Sequence, residues 1–188
     1  MLRMSKLTDY GTVILVAIAR NAGGIHSATS LASATGIPLP TVAKVMKILA
    51  RGGLTVSLRG ARGGYVLRCP PQRITLADII AAMDGPFGMT ECSAAPGACV
   101  QESVCGARAN WQKVNRLVLE ALRQVSLADM AGPVLREIDM SAIRMRGTPA
   151  LPDKTRVPHS PKCAPGVSSA VGQGVGTAAS ALKSGGHA

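Results

Sequence analysis

Apolar residues recur at helical spacing at Leu7, Tyr10, Val13, Ile14, Ala17 and Ile18, which predicts a first helix from about Thr8 to Asn21, closed by Gly23 and Gly24. A short second helix is expected from about Ala28 to Thr35, stopped at Gly36. Pro40 suits the first turn of a third helix, where its missing N–H is harmless. Val42, Val45, Met46 and Leu49 then line one face until Gly52 and Gly53. The last two helices, joined through Thr35, Gly36, Ile37 and Pro38, form a helix-turn-helix.

The pattern then changes to alternation. Leu54 to Leu58 reads as a strand, the glycine-rich stretch with Arg59 and Arg62 as a turn, and Tyr65 to Leu67 as the returning strand. This is a β-hairpin wing, which Tyr65 is expected to pack onto the domain. Helical spacing resumes at Thr75, which with Asp78 makes a capping-box-like start to a helix through about Met83. About Gly85 to Gly106 is expected to be a loop. A longer helix from about Ala109 to Val125 carries Val114, Leu117, Val118, Ala121, Leu122 and Val125 on one face. That stripe is broad for the end of a small domain, so a second subunit is expected to cover it. Trp111 is expected in the core, or shielding the preceding loop, and Ser126 opens a brief last helix.

These elements predict a mainly α fold with a small β-hairpin wing: a winged helix-turn-helix over residues 1–84, a loop over 85–108, and a dimerisation helix with a terminal helical segment over 109–147. From 148 to 188 Pro, Gly, Ser, Ala and Thr dominate without periodicity, which predicts a disordered tail. One Trp, two Tyr and one Phe leave the core to aliphatic side chains and Met.

Charge narrows the function. Through Ala77 there are ten Lys or Arg and a single acid, Asp9, against eleven bases and nine acids in the remainder. Such lopsidedness favours a polyanionic partner at the N-terminal end, since each neutralised phosphate releases counterions. Double-stranded DNA is the expected partner. The apolar run Val13 to Ala19 is far too short to span a bilayer, and Lys6 and Asp9 interrupt any secretory signal, so no membrane association and a cytoplasmic location are expected. On the second helix of the helix-turn-helix, Thr41 and Ala43 are placed for base edges. Lys44, Lys47 and Arg51, with Arg59 and Arg62 at the wing tip, are placed for phosphates and grooves. The alternative for the basic residues is an ordinary solvated helix face.

Three cysteines, Cys92, Cys99 and Cys105, lie within fourteen residues as Cys-x6-Cys-x5-Cys, while Cys69 and Cys163 stand apart. Thiolates gathered in one loop suit a soft metal or an iron–sulfur cluster. Structural zinc sites space cysteines more tightly in pairs, so zinc or metal-free thiols are the weaker alternatives. A cluster carrier would leave the basic N-terminal region and the wing without a role. An electron-transfer enzyme would need a second cofactor site, and no phosphate-cradling glycine loop is present, so no enzyme is expected.

Together these residues resemble a known family, the winged-helix regulators with an iron–sulfur cluster, of the IscR and NsrR type. The resemblance spans roughly residues 2 to 130. It rests on the start Lys6-Leu-Thr-Asp-Tyr-Gly, the turn at Gly36 and Ile37, the wing Arg59-Gly-Ala-Arg-Gly-Gly-Tyr, and the three cysteines ahead of Trp111. In detail it is most similar to the branch regulating the Suf assembly system, through Leu-Thr-Asp-Tyr-Gly-Thr, Leu-Pro-Thr-Val and Thr-Glu-Cys-Ser. The resemblance implies a homodimeric repressor of cluster-assembly genes that reads an operator, or a nitric-oxide or redox sensor of the same family. It implies Cys92, Cys99 and Cys105 as ligands of a cluster, [2Fe-2S] favoured and [4Fe-4S] compatible. IscR-type members add a histidine three residues after the last cysteine, where this chain has Arg108. NsrR-like members use an aspartate of the partner's first helix, and the matching residue is Asp9. Asp9 is thus either a ligand given across a dimer or a carboxylate stabilised at a helix N-terminus.

Overall fold

A computed structural model describes residues 4–60 and 62–133 of the chain. The expected tail, with Cys163, and the terminal segment after Pro133 lie outside them.

Helix α1 (Lys6–Ala19) begins earlier than its apolar stripe, because Ser5 caps it by accepting a hydrogen bond from the Thr8 N–H. Helix α2 (Ala28–Thr35) is capped by Ser27 and ends at Gly36, whose φ of 70° is the left-handed turn that favours glycine. Helix α3 (Leu39–Arg51) starts after Pro38 with Pro40 in its first turn and buries Val42, Val45, Met46 and Leu49. The wing follows as β1 (Thr55–Leu58) and β2 (Gly64–Leu67), antiparallel, with Thr55 opposite Leu67 and Ser57 opposite Tyr65. Tyr65 also exchanges backbone hydrogen bonds with His26, at 2.8 and 3.0 Å, which joins the wing to the segment entering α2.

After a 3-10 turn (Pro71–Arg73), α4 (Leu76–Asp84) opens with the expected capping box. Thr75 accepts from the Asp78 N–H, and the Asp78 carboxylate accepts from the Thr75 N–H at 2.9 Å. Within the stretch expected to be loop, one helical turn forms, α5 (Glu91–Ala94). Then come α6 (Arg108–Gln124) and α7 (Leu127–Ala131), the latter with a second capping box between Ser126 and Asp129.

One core holds these elements together. Ile14, Leu15 and Ile18 of α1, Leu31 of α2 and the α3 stripe meet Leu54, Leu67 and Ile74 with almost no exposure. Leu127 is fully buried in the same core. The chain after α6 therefore returns to the domain, tied by the Leu76 N–H to the Val125 carbonyl and the Leu127 N–H to the Ile74 carbonyl. The expectation of a core Trp111 is overturned: its residue is 40% exposed on α6. Among the described residues no helix is long and apolar enough to cross a membrane.

Candidate functional site

Helix α3 divides cleanly into two faces. Its apolar stripe is buried, while Lys44, Lys47 and Arg51 are exposed on the other side, with Thr41 and Ala43 half-buried near the N-terminal end. Arg59 and Arg62 are exposed at the tip of the wing. The ion pairs seen among the described residues are Glu102 with Arg108 and Glu120 with Arg123, so neither of these acids neutralises any of the five cations. Unpaired cations on one helix face and an adjoining hairpin are an electrostatic footprint for a polyanion.

The three cysteines occupy different surroundings, all as free thiols. Cys92 is on α5 and buried, its sulfur 3.3 Å from the Thr90 hydroxyl. Cys99 is half-buried and Cys105 exposed. The segment is fixed to α6 by Asn115, a buried polar side chain whose carbonyl oxygen accepts from the Met89 N–H at 3.0 Å. Glu102, between the second and third cysteines, accepts from the Gly97 N–H and pairs with Arg108 at 2.5 Å. Arg108, Cys105, Ser103 and Gln112 line a shallow cleft there of about 370 Å³.

By chemistry this donor set fits a thiolate-held metal group, since all three are free thiols carried on one short segment. By position it is not assembled: no three His, Cys, Asp or Glu side chains among the described residues converge on one point. Asp9 is exposed in the first turn of α1. Sequence reasoning did not find Glu102 or Asn115, whose contacts join residues by folding rather than by any local pattern. Arg108 stands where IscR-type members carry a histidine.

The chain is similar over most of its described length to known proteins. A family model described as Rrf2, iron-dependent transcriptional regulator, matches residues 4–133. The transcriptional regulator CymR of Bacillus subtilis is 30% identical over 131 residues, covering 69% of this chain and 90% of that protein. The solved structure of CymR, described as the global cysteine regulator of B. subtilis, superposes with a TM-score of 0.56 at 31% identity, over 70% of this chain and 97% of the other. The structure of T. potens IscR superposes with a TM-score of 0.53 at 29% identity, over 69% and 85% of the two chains.

Proposed function

The chain belongs to the Rrf2 family of transcriptional regulators, a regulator rather than an enzyme, and on that footing we propose that it is a cytoplasmic, homodimeric repressor of iron–sulfur cluster assembly genes. The observation that carries this reading is the pairing, in one domain, of an unneutralised basic face on α3 and the wing with a segment bearing three free thiols. The likeness to the Suf-system branch supports the choice of target genes. The likeness to both CymR and IscR structures is compatible with a thiol-bearing sensor on this fold.

In this reading Thr41 and Ala43 read base edges of the operator, Lys44, Lys47 and Arg51 hold phosphates, and Arg59 and Arg62 follow the backbone or enter the minor groove. Cys92, Cys99 and Cys105 hold the iron–sulfur cluster, and Asp9 of the partner subunit is the fourth ligand. A bound cluster supplies a group that is gained and lost with iron, sulfide and oxidants. The cysteine segment lies between α4, which packs on α1 and α3, and the dimer helix α6. A change in its shape alters how two DNA-reading halves sit relative to each other. A differential affinity of a few kcal/mol between two arrangements is enough for such a switch.

The test is anaerobic purification with an absorption spectrum and iron and sulfide counts, followed by operator affinity of the loaded and stripped protein. Equal affinity of both forms for every operator tried defeats the switch. A cluster carrier, the other reading of the thiols, does not require salt-steep retention on heparin, which the repressor does.

A further inference from the structure

The Glu102 carboxylate closes two consecutive turns at once. On one side it accepts from the N–H of Gly97, a residue with φ of 78°, and on the other it pairs with the Arg108 guanidinium at 2.5 Å. Cys99 lies inside the first closed turn and Cys105 inside the second. The pair is no loose surface contact: the Glu102 side chain is 12% exposed and that of Arg108 32%. The backbone repeats the closure, with the Glu102 N–H donating to the Cys99 carbonyl at 3.1 Å and the Arg108 N–H to the Cys105 carbonyl at 3.3 Å. Cys92 sits apart on α5, so the three thiols occupy three places that do not converge.

We propose that Glu102 and Arg108 form a clasp that ties Cys99 and Cys105 into two separately closed turns and opens when one metal group takes both. Arg108, where the resemblance would put a histidine, is then the positioning residue that keeps the second turn closed. The inference deepens the cluster-binding reading and rests on it for its purpose. Opening costs the carboxylate its two partners, and a partly screened pair of this kind gives a modest barrier rather than a lock. The clasp therefore sets a loading rate and does not prevent loading.

The test uses metal-free full-length protein and phenylarsine oxide, whose arsenic bonds to two thiols together with release of water and so reports how readily two sulfurs meet. The bridged product is mapped by mass spectrometry. Glu102→Ala frees both turns and is expected to bridge Cys99 to Cys105 roughly two- to fivefold faster, the factor that corresponds to a partly exposed ion pair. Arg108→Ala frees only the second turn and falls between Glu102→Ala and the wild type. Glu120→Ala, which removes the exposed pair on α6, leaves the rate unchanged. Bridging in Glu102→Ala that is no faster than in the wild type overturns the clasp, as does an equal acceleration by Glu120→Ala. No iron enters this assay, so anaerobically purified wild-type protein found to carry no iron or sulfide sinks the cluster reading while leaving the bridging result to stand on its own.

Discussion

Thr55 opens the first wing strand at 1% exposure, and its hydroxyl has no hydrogen-bond partner among the described residues. A buried polar group left unmade costs its desolvation, whereas Val keeps the β-branch that suits a strand. Thr55→Val is therefore expected to stabilise the domain by about 1 kcal/mol, read as a higher urea midpoint at unchanged slope. A lower midpoint shows that the hydroxyl is satisfied after all. For the thiols, replacing Cys92, Cys99 or Cys105 by Ser is expected to remove the cluster absorbance, and replacing Cys69 or Cys163 to leave it. Residue-scale features of this kind divide sharply in what a sequence reveals. The grouping of three cysteines is visible as spacing, but whether a Thr finds a partner or a Glu bridges two turns depends on contacts that only the folded chain creates. Trp111 makes the same point from the other side, since it was expected in the core or shielding the cysteine loop, and which neighbours it meets is fixed only by folding.

At the scale of elements, the parts that could be read are those with local causes. Ser27, Thr75 and Ser126 cap their own helices, Gly36 ends α2, and the α3 stripe has its period written in four residues. Helix α5 is only four residues long, about one helical turn, so no periodicity could announce it. A contact between distant elements was equally hidden: Asp84, at the end of α4, accepts from the Ser5 hydroxyl at 2.7 Å and the Thr8 hydroxyl at 2.6 Å. This joins the start of α1, which carries Asp9, to the residue after which the cysteine segment begins. Partial burial, the largest single influence, works to raise the Asp84 pKa, but the hydrogen bonds from Thr8 and Ser5 together outweigh it and hold it below the ordinary 3.8. A depressed folded-state value means the carboxylate contributes stability above the unfolded pKa and loses it as pH falls through the folded one. Asp84→Asn, whose amide nitrogen cannot accept from a hydroxyl, is expected to destabilise the protein at neutral pH. The gap to the wild type should narrow only in strongly acidic solution, below about pH 3.8. Unfolding curves against pH for both proteins decide it, and a gap that stays constant into strong acid removes Asp84 from the account. On α3 the expectation concerns DNA: Lys44→Ala or Lys47→Ala weakens binding to all sequences alike and lowers the salt slope by about one, while Thr41→Ala alters preference among operator variants.

For the whole molecule the controlling feature is α6. Its seventeen residues span about 25 Å, and the helix packs on α4 and α5 yet Asn115 alone among its residues is buried. Trp111 and Val114, one turn apart, stand about 40% exposed, and Leu117, Val118, Ala121 and Leu122 are half-buried along the same helix. The apolar stripe was legible in the sequence, but what covers it was not, since a stripe has the same period whether it meets its own domain or another copy. The proposal of a homodimer makes α6 the interface and predicts that the dimer forms without any metal group. Val114→Glu, which puts a charge among these apolar side chains, is expected to sediment as a monomer with its helical content intact, and to lose operator affinity because one reading head replaces two. Protein with Cys92, Cys99 and Cys105 all changed to Ser should remain dimeric. The two-fold arrangement then requires a near-palindromic operator with half-sites about one helical turn apart on one face of the duplex. A footprint confined to a single half-site refutes the paired reading heads, and a monomeric triple-cysteine variant would mean that the cluster, and not α6, holds the two copies together.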